Sequence, residues 1–482
     1  MRSILLAALF ATSAGSALAA PTPQDRRLAD IAAKVSAARM KADVAKLVSF
    51  GTRHTLSSQT DPKRGIGASL RWAEGQFRSF GLDVATPSEV MTNDRAPNGV
   101  KITDVLGIQR GTERPNDVVI ISGHIDSRVT DVMNATADAP GANDDGSGTA
   151  AVIEAARVLS KQKFPGTIVY AALSGEEQGL LGGKILADYA KAQGWNVIAN
   201  LNNDIIGNSC GSDGVCNDKV VRVFSEGPRW QGHEELAAQI RSLGGENDSP
   251  SRNISRFLDS LAERVPGIGL DVMQVWRNDR FGRGGDHTEF LNLGFPAVRM
   301  SVAVENYDWQ HQDLRTENGK VYGDTIDHMD FPYLEKVTKL NVAALAAIAS
   351  APPPPDSARV EGAVQTFTRV LWDEAPGAQS YVIRWRRTDA SNWSELAEVP
   401  RYRTATSKLT HICGMLGGDG TLPPPEQRKD FGCSTELKGV RVDDWIFGIS
   451  AVSADGFESP VASAVPGGAF TPYVAAPVEP VK

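Results

Sequence analysis

At 482 residues the chain exceeds what one hydrophobic core usually supports, since cores tend to split beyond ~250 to 300 residues, so at least two domains are expected. Hydrophobic residues make up 41% and charged residues 22%, values that argue against wholesale disorder and against a membrane bundle. The formal charge of −8 and the lack of a long Lys/Arg cluster argue against nucleic acid, which needs a basic face to release counterions.

The first residues read as an export signal: Arg2 in a short basic region, an apolar stretch from Ile4 to Ala11, and small residues up to Ala17-Leu18-Ala19. Residues 1–19 are therefore expected to be removed after Ala19. The apolar run is well short of the ~20 residues that span a bilayer. No later segment looks transmembrane, so a secreted or periplasmic product is expected. Four cysteines form two local pairs, Cys210 with Cys216 and Cys413 with Cys433. In an oxidising compartment they read as two disulfides, and neither pair has the spacing of a zinc knuckle or redox site.

From about residue 100 to 350, β-branched runs alternate with helix-like stretches, the pattern of an α/β domain whose sheet is covered by helices on both faces. Strands are expected at Asp117 to Ile121, Thr167 to Leu173, Val197 to Leu201 and Ala297 to Val302. Helical spacing marks Ala150 to Ser160, Leu180 to Ala192 and Leu334 to Ala349. Pro352 to Pro355 can continue neither helix nor ladder, so residues 20–351 form one expected domain and 352–358 a stiff linker. Beyond it, short alternating strands such as Val382 to Arg386 and Trp445 to Val452 suggest an all-β sandwich over 359–475. The stretches "LWDEAPGAQSYVIRWR" and "ISAVSADGFESP" resemble a fibronectin type III domain, with a Gly/Pro-rich insertion between Cys413 and Cys433 as a departure.

Of the seven histidines, His124 lies in "SGHIDSR" just after a strand. In an extended segment His124 and Asp126 point to the same side, so the Asp126 carboxylate can accept one imidazole N–H and aim the other nitrogen at a metal. "PGANDDGSGTA" then places Asp144 and Asp145 in a Gly-rich turn before a helix. Capping explains one of these acids but not two. "ALSGEEQGLLGG" puts Glu176 and Glu177 after another strand, where neighbouring carboxylates repel unless a cation is near. "NNDII" adds Asp204 and "GGDHTEF" adds His287. Two Zn²⁺ ions would bring four positive charges, which Asp144, Glu177 and Asp204 largely offset while His124 and His287 contribute neutral nitrogens.

This ordered set of motifs resembles that of the clan MH metallopeptidases, the secreted co-catalytic zinc aminopeptidases, from roughly Val48 to Ala349 and including the "SFGTRH" lead-in. The resemblance implies a mixed, largely parallel sheet between helices and two zinc ions per chain. It implies that Asp144 bridges both metals, with His124 and Asp204 on one and Glu177 and His287 on the other. Glu176 would be the general base and Asp126 the carboxylate orienting His124. Peptides or proteins are the implied substrates, cut at the free amino end. On the same fold, a glutaminyl cyclase with one zinc and a carboxypeptidase are the rival enzymes, and a catalytically decayed binding protein is the rival from another class.

His311 in "NYDWQHQ" and His328 in "DTIDHMD" fall in a stretch that borders the expected substrate pocket, as does Tyr307, a candidate oxyanion donor. Trp276 and Arg283 precede His287 on an expected pocket loop, though core packing or ordinary solvation explains them equally well. Free-amine recognition calls for acidic groups near the metals and a terminal carboxylate for Arg or Lys, and the sequence places neither set. His233-Glu234-Glu235 begins like HExxH but has Ala237 at the second histidine, so it is set aside.

Overall fold

Why the central strands pair as they do follows from their composition. In a computed structural model, which describes residues 20–229, 234–400, 412–413 and 432–465, the run "GTIVYAAL" is buried at every position. Such a strand belongs in a parallel sheet covered on both faces. The expected signal 1–19, His233, nearly all of the Gly/Pro-rich insertion and the end of the 359–475 unit lie outside the described residues.

In chain order the strands of the first domain are β1 (Asp83–Ala85), β2 (Ser88–Asn93), β3 (Ala96–Thr103), β4 (Val105–Gln109), β5 (Arg114–His124), β6 (Gly166–Leu173), β7 (Asn196–Asn203), β8 (Val220–Phe224), β9 (Asp271–Val275) and β10 (Ala297–Val302). Eight of them form one sheet in the order β1-β4-β6-β5-β7-β10-β8-β9. Its centre, β6-β5-β7-β10, is parallel. β4 and β8 join it antiparallel. Strands β2 and β3 form a separate hairpin.

Strand periodicity of two sends alternate side chains to two separate cores. Val119 and Ile121 of β5 and Ile168, Tyr170 and Ala172 of β6 pack on one face, with the helices Gly146–Leu159 and Phe331–Ser350. Val118 and Ile120, with Val169, Ala171 and Leu173, pack on the other, against Leu186, Ala187 and Ala190 of the helix Leu181–Ala192. The expected strands and helices of this region are all present, several extended by a few residues. The sequence reading did not single out the β2–β3 hairpin, β8 or the edge strand β9. Pro97, Asn98 and Gly99 break the strand signal in β3, and β9 is only partly buried, so neither offers a continuous apolar run.

Past residue 351 the described residues form β-strands and one short 3-10 helix, Val442–Asp444. One four-stranded antiparallel sheet orders Arg359–Glu361, Phe367–Trp372, Cys433–Lys438 and Ile412–Cys413, and another orders Glu395–Pro400, Ser380–Arg387, Trp445–Val452 and Ala462–Ser463. Val370 and Trp372 of the first meet Tyr381, Ile383 and Phe447 of the second in one core, making a sandwich. Both cysteine pairs are disulfides, Cys210 with Cys216 and Cys413 with Cys433. Within the proline run Pro352, Pro353 and Pro355 are buried. Buried Asp248, in the first domain, meets Arg386 of the sandwich at 2.5 Å, and Asn253 donates to Ser463 Oγ at 2.8 Å. Among the described residues no helix is long and apolar enough to cross a membrane.

Candidate metal centre

Three adjacent parallel strands deliver their chemistry at one edge. β5 ends on His124, β6 is followed by Glu176 and Glu177, and β7 by Asp204. The carboxyl edge of an open α/β sheet is where the backbone diverges and leaves a crevice. Asp144 enters from the turn between β5 and the helix Gly146–Leu159. Its neighbour Asp145 is the structural acid. The Asp145 side chain accepts from Gly148 N at 2.8 Å as the helix N-cap and from His124 N at 3.0 Å. Asp324 holds the same turn by accepting from the backbone N–H groups of Asn143, at 2.9 Å, and Asp144, at 2.7 Å.

Two groups of potential ligands share Asp144. His124, Asp144 and Asp204 form one, and Asp144, Glu177 and His311 the other, with the donor atoms of each within 4.8 Å of one another. His124 Nε2 is 3.1 Å from Asp144 Oδ1 and 4.0 Å from Asp204 Oδ1. His311 Nε2 is 2.8 Å from both Asp144 Oδ2 and Glu177 Oε1. Ligands at ~2.0 to 2.2 Å from a tetrahedral zinc require separations of this order.

His287, expected as a ligand, is not one of this set. It opens the short helix His287–Asn292, fully buried, and its Nε2 lies 2.9 Å from both the carbonyl and the side-chain oxygen of Asn278. The ring is turned into its own loop. His311 belongs to the second group instead, from the loop after β10 and at a left-handed φ of 57°. Asp126 also differs in detail from the expectation. His124 Nδ1 is nearer the Asp126 carbonyl, at 3.1 Å, than its carboxylate, at 3.5 Å. That carboxylate accepts from Glu176 N, Glu177 N and Thr55 Oγ1, so it fixes the loop carrying the two glutamates.

The adjacent glutamates are held differently. Glu177 Oε2 takes Arg128 Nε at 2.8 Å. Glu177 Oε1 is buried without a hydrogen bond although His311 Nε2 is only 2.8 Å away. The contact lacks hydrogen-bond direction. Arg128 Nη2 also sits 2.6 Å from His311 Nδ1. With Arg128 donating there the ring proton sits on Nε2, so ligation through Nε2 requires the proton to move to Nδ1 and Arg128 to turn. The Glu176 carboxylate makes no hydrogen bond to the described residues and lines the depression above the cluster.

Burial dominates the electrostatics. It pushes Asp204 up to about 7, with Asp144 adding repulsion, and lifts Glu176 and Asp145 well above the usual carboxylate range. Asp144 goes the other way, because His311 and His124 outweigh the burial. Acids desolvated this closely are stable as anions only beside cations. The donor set of carboxylate oxygens and imidazole nitrogens, with an orphaned oxygen at its centre, fits a pair of zinc ions.

Arg53 of the "SFGTRH" lead-in, which the sequence reading left without a role, is 1% exposed beneath this site. It donates to the carbonyls of Ile125 and Pro140, each at 2.6 Å, and Gly141 at 2.9 Å. Those carbonyls flank His124 and Asp144. Replacing Arg53 by Met should lower unfolding stability by about 3 kcal/mol, the scale for leaving several buried acceptors unpaired. Denaturant titration checks this, and a loss below about 1 kcal/mol would deny Arg53 that role.

Fold and site together define a zinc metallopeptidase. The profile of peptidase family M28 matches residues 104–345, and the chain belongs to that family. It is 39% identical over 463 residues to a protein of Leptosphaeria maculans described as a probable zinc metalloprotease, covering 94% of this chain and all of that one. A like-named protein of Pyrenophora teres f. teres is 40% identical over 452 residues, 91% of this chain and 87% of the relative. Among solved structures, LapA of Legionella pneumophila superposes with a TM-score of 0.50 at 19% identity, over 70% of this chain and 79% of LapA. At that identity the likeness speaks to the fold.

Proposed function

We propose that the chain is a secreted di-zinc exopeptidase that removes single residues from the amino end of peptides. The observation that carries this reading is the pair of ligand groups sharing Asp144 at the foot of a depression of about 660 Å³, with Glu176 beside them. The depression is walled by the tip of the β2–β3 hairpin, the loop 280–284 and Gln310 and His311. That volume suits a small ligand or a chain end rather than a long peptide groove.

His124 and Asp204 would hold one ion, Glu177 and His311 the other, and Asp144 both. When bound, the zinc pair supplies Lewis acidity toward the scissile carbonyl and acidifies water at neutral pH. Gln310 donates to Asp144 Oδ2 at 3.0 Å and Arg299 Nη2 lies 2.8 Å from Asp204 Oδ1, so both carboxylates are held in orientation. The Glu176 carboxylate takes the proton of the attacking water and returns it to the leaving amine nitrogen. Export is supported by the N-terminal sequence pattern and by the pairing of Cys210 with Cys216 and Cys413 with Cys433.

Elemental analysis of the purified chain should give two zinc equivalents. Chelation should abolish release of N-terminal residues and zinc should restore it. One equivalent with no hydrolysis would favour the cyclase reading, and cleavage confined to interior bonds would overturn the exopeptidase reading.

A further inference from the structure

Beside the acidic cluster the depression also carries cationic side chains. Apart from the candidate ligands and Glu176, its charged lining residues are Asp94, Arg95, Arg280 and Arg283. Arg280 and Arg283 are mounted on a buried scaffold. Glu305 receives Arg222 Nη2 at 2.6 Å, Arg280 Nη1 at 3.4 Å and Arg283 Nη1 at 2.9 Å. Asp279 receives Arg280 Nε at 2.9 Å and Arg299 Nη1 at 3.0 Å.

Four arginines therefore share Glu305 and Asp279, because Asp204, the other partner of Arg299, belongs to the metal cluster. Arg280 and Arg299 are already compensated by Asp279, Glu305 and Asp204, so the donors left open toward an anion are those of Arg283. Arg283 is the group placed to meet one. Its side chain is 33% exposed, and among the described residues only its Nη1 is engaged. It lines both the main depression and the adjoining one of about 350 Å³ that contains Arg128 and Tyr307. A guanidinium presents a planar fork of donors that matches a carboxylate in a bidentate pair.

We propose that Arg283, backed by Arg280, seats a carboxylate of the substrate beside the scissile bond, so that the enzyme selects peptides with an acidic group there. This rests on the peptidase reading and deepens it by naming the substrate class. The carboxylate has two sources, the side chain of a terminal Glu or Asp and the α-carboxylate at a peptide's carboxyl end.

The zinc-loaded full chain is assayed on Glu, Gln, Asp and Leu anilides and on dipeptides with free amino ends and free or amidated carboxyl ends. Binding of free glutamate and glutamine is measured alongside by calorimetry. Wild type should prefer the carboxylate-bearing member of one series by at least about tenfold in kcat/KM, mainly through KM. A preference among the anilides assigns the side chain, and one among the dipeptides assigns the chain end. Arg283→Gln should erase that preference and the tighter binding of glutamate over glutamine, and Arg283→Lys should restore part of both. No preference in either series, or equal losses on all substrates in Arg283→Gln, overturns the proposal. Failure of the peptidase reading shows itself separately, as no hydrolysis of any substrate while calorimetry still discriminates glutamate from glutamine.

Discussion

Replacing Glu176 by Gln is expected to lower kcat by about 10²- to 10⁴-fold, the usual contribution of a positioned general base, while two zinc equivalents remain bound. The structure separates this residue from its neighbour. Glu176 lines the depression with a carboxylate free of hydrogen bonds to the described residues, whereas Glu177 is clamped by Arg128 with its other oxygen aimed at the shared centre. The adjacent substitution Glu177→Gln should therefore give the contrary pattern, a loss of metal together with activity. Steady-state kinetics paired with elemental analysis reads both variants. Retention of more than a tenth of wild-type kcat in Glu176→Gln would remove it from the proton-transfer step.

The second large effect concerns the two histidines that compete for one metal position. His311→Ala should release about one zinc equivalent and lower kcat/KM by about 10³-fold, since loss of a ligand disables the metal's part of the chemistry. His287→Ala should keep both equivalents and lose about 1 to 3 kcal/mol of stability, from the packing and the Asn278 contact of a fully buried ring. Zinc counts reversed between the two variants would restore His287 as the ligand. The geometry argues otherwise, because His287 Nε2 is already spoken for by Asn278 while His311 Nε2 lies 2.8 Å from two carboxylates.

The two arginines of the lead-in and the wall show a different kind of blindness. Arg53 stands in the sequence as an ordinary cation of the lead-in, and Arg283 only as a residue of an expected pocket loop, with no spacing pattern that gives either a role. Arg53 proves fully buried among carbonyls separated from it by more than 70 positions, and Arg283 joins a scaffold built on Glu305. Neither environment has a local signature, since it is assembled from loops that meet only when the sheet is complete.

What the sequence determined by itself was everything carried by short-range periodicity or by a motif within one turn. The apolar runs of β5, β6, β7 and β10 specified a sheet buried on both faces, and "NDDG" and "SGEEQ" specified which acids follow the strands, because these signals reside in neighbouring residues. Tertiary structure alone decided which histidine reaches the shared centre, that the Asp126 carbonyl lies closer to His124 than its carboxylate does, and that arginines from separate loops form one wall. Those choices depend on where long loops travel after leaving the sheet, and loop paths are set by contacts between residues far apart in the chain rather than by the residues within the loops.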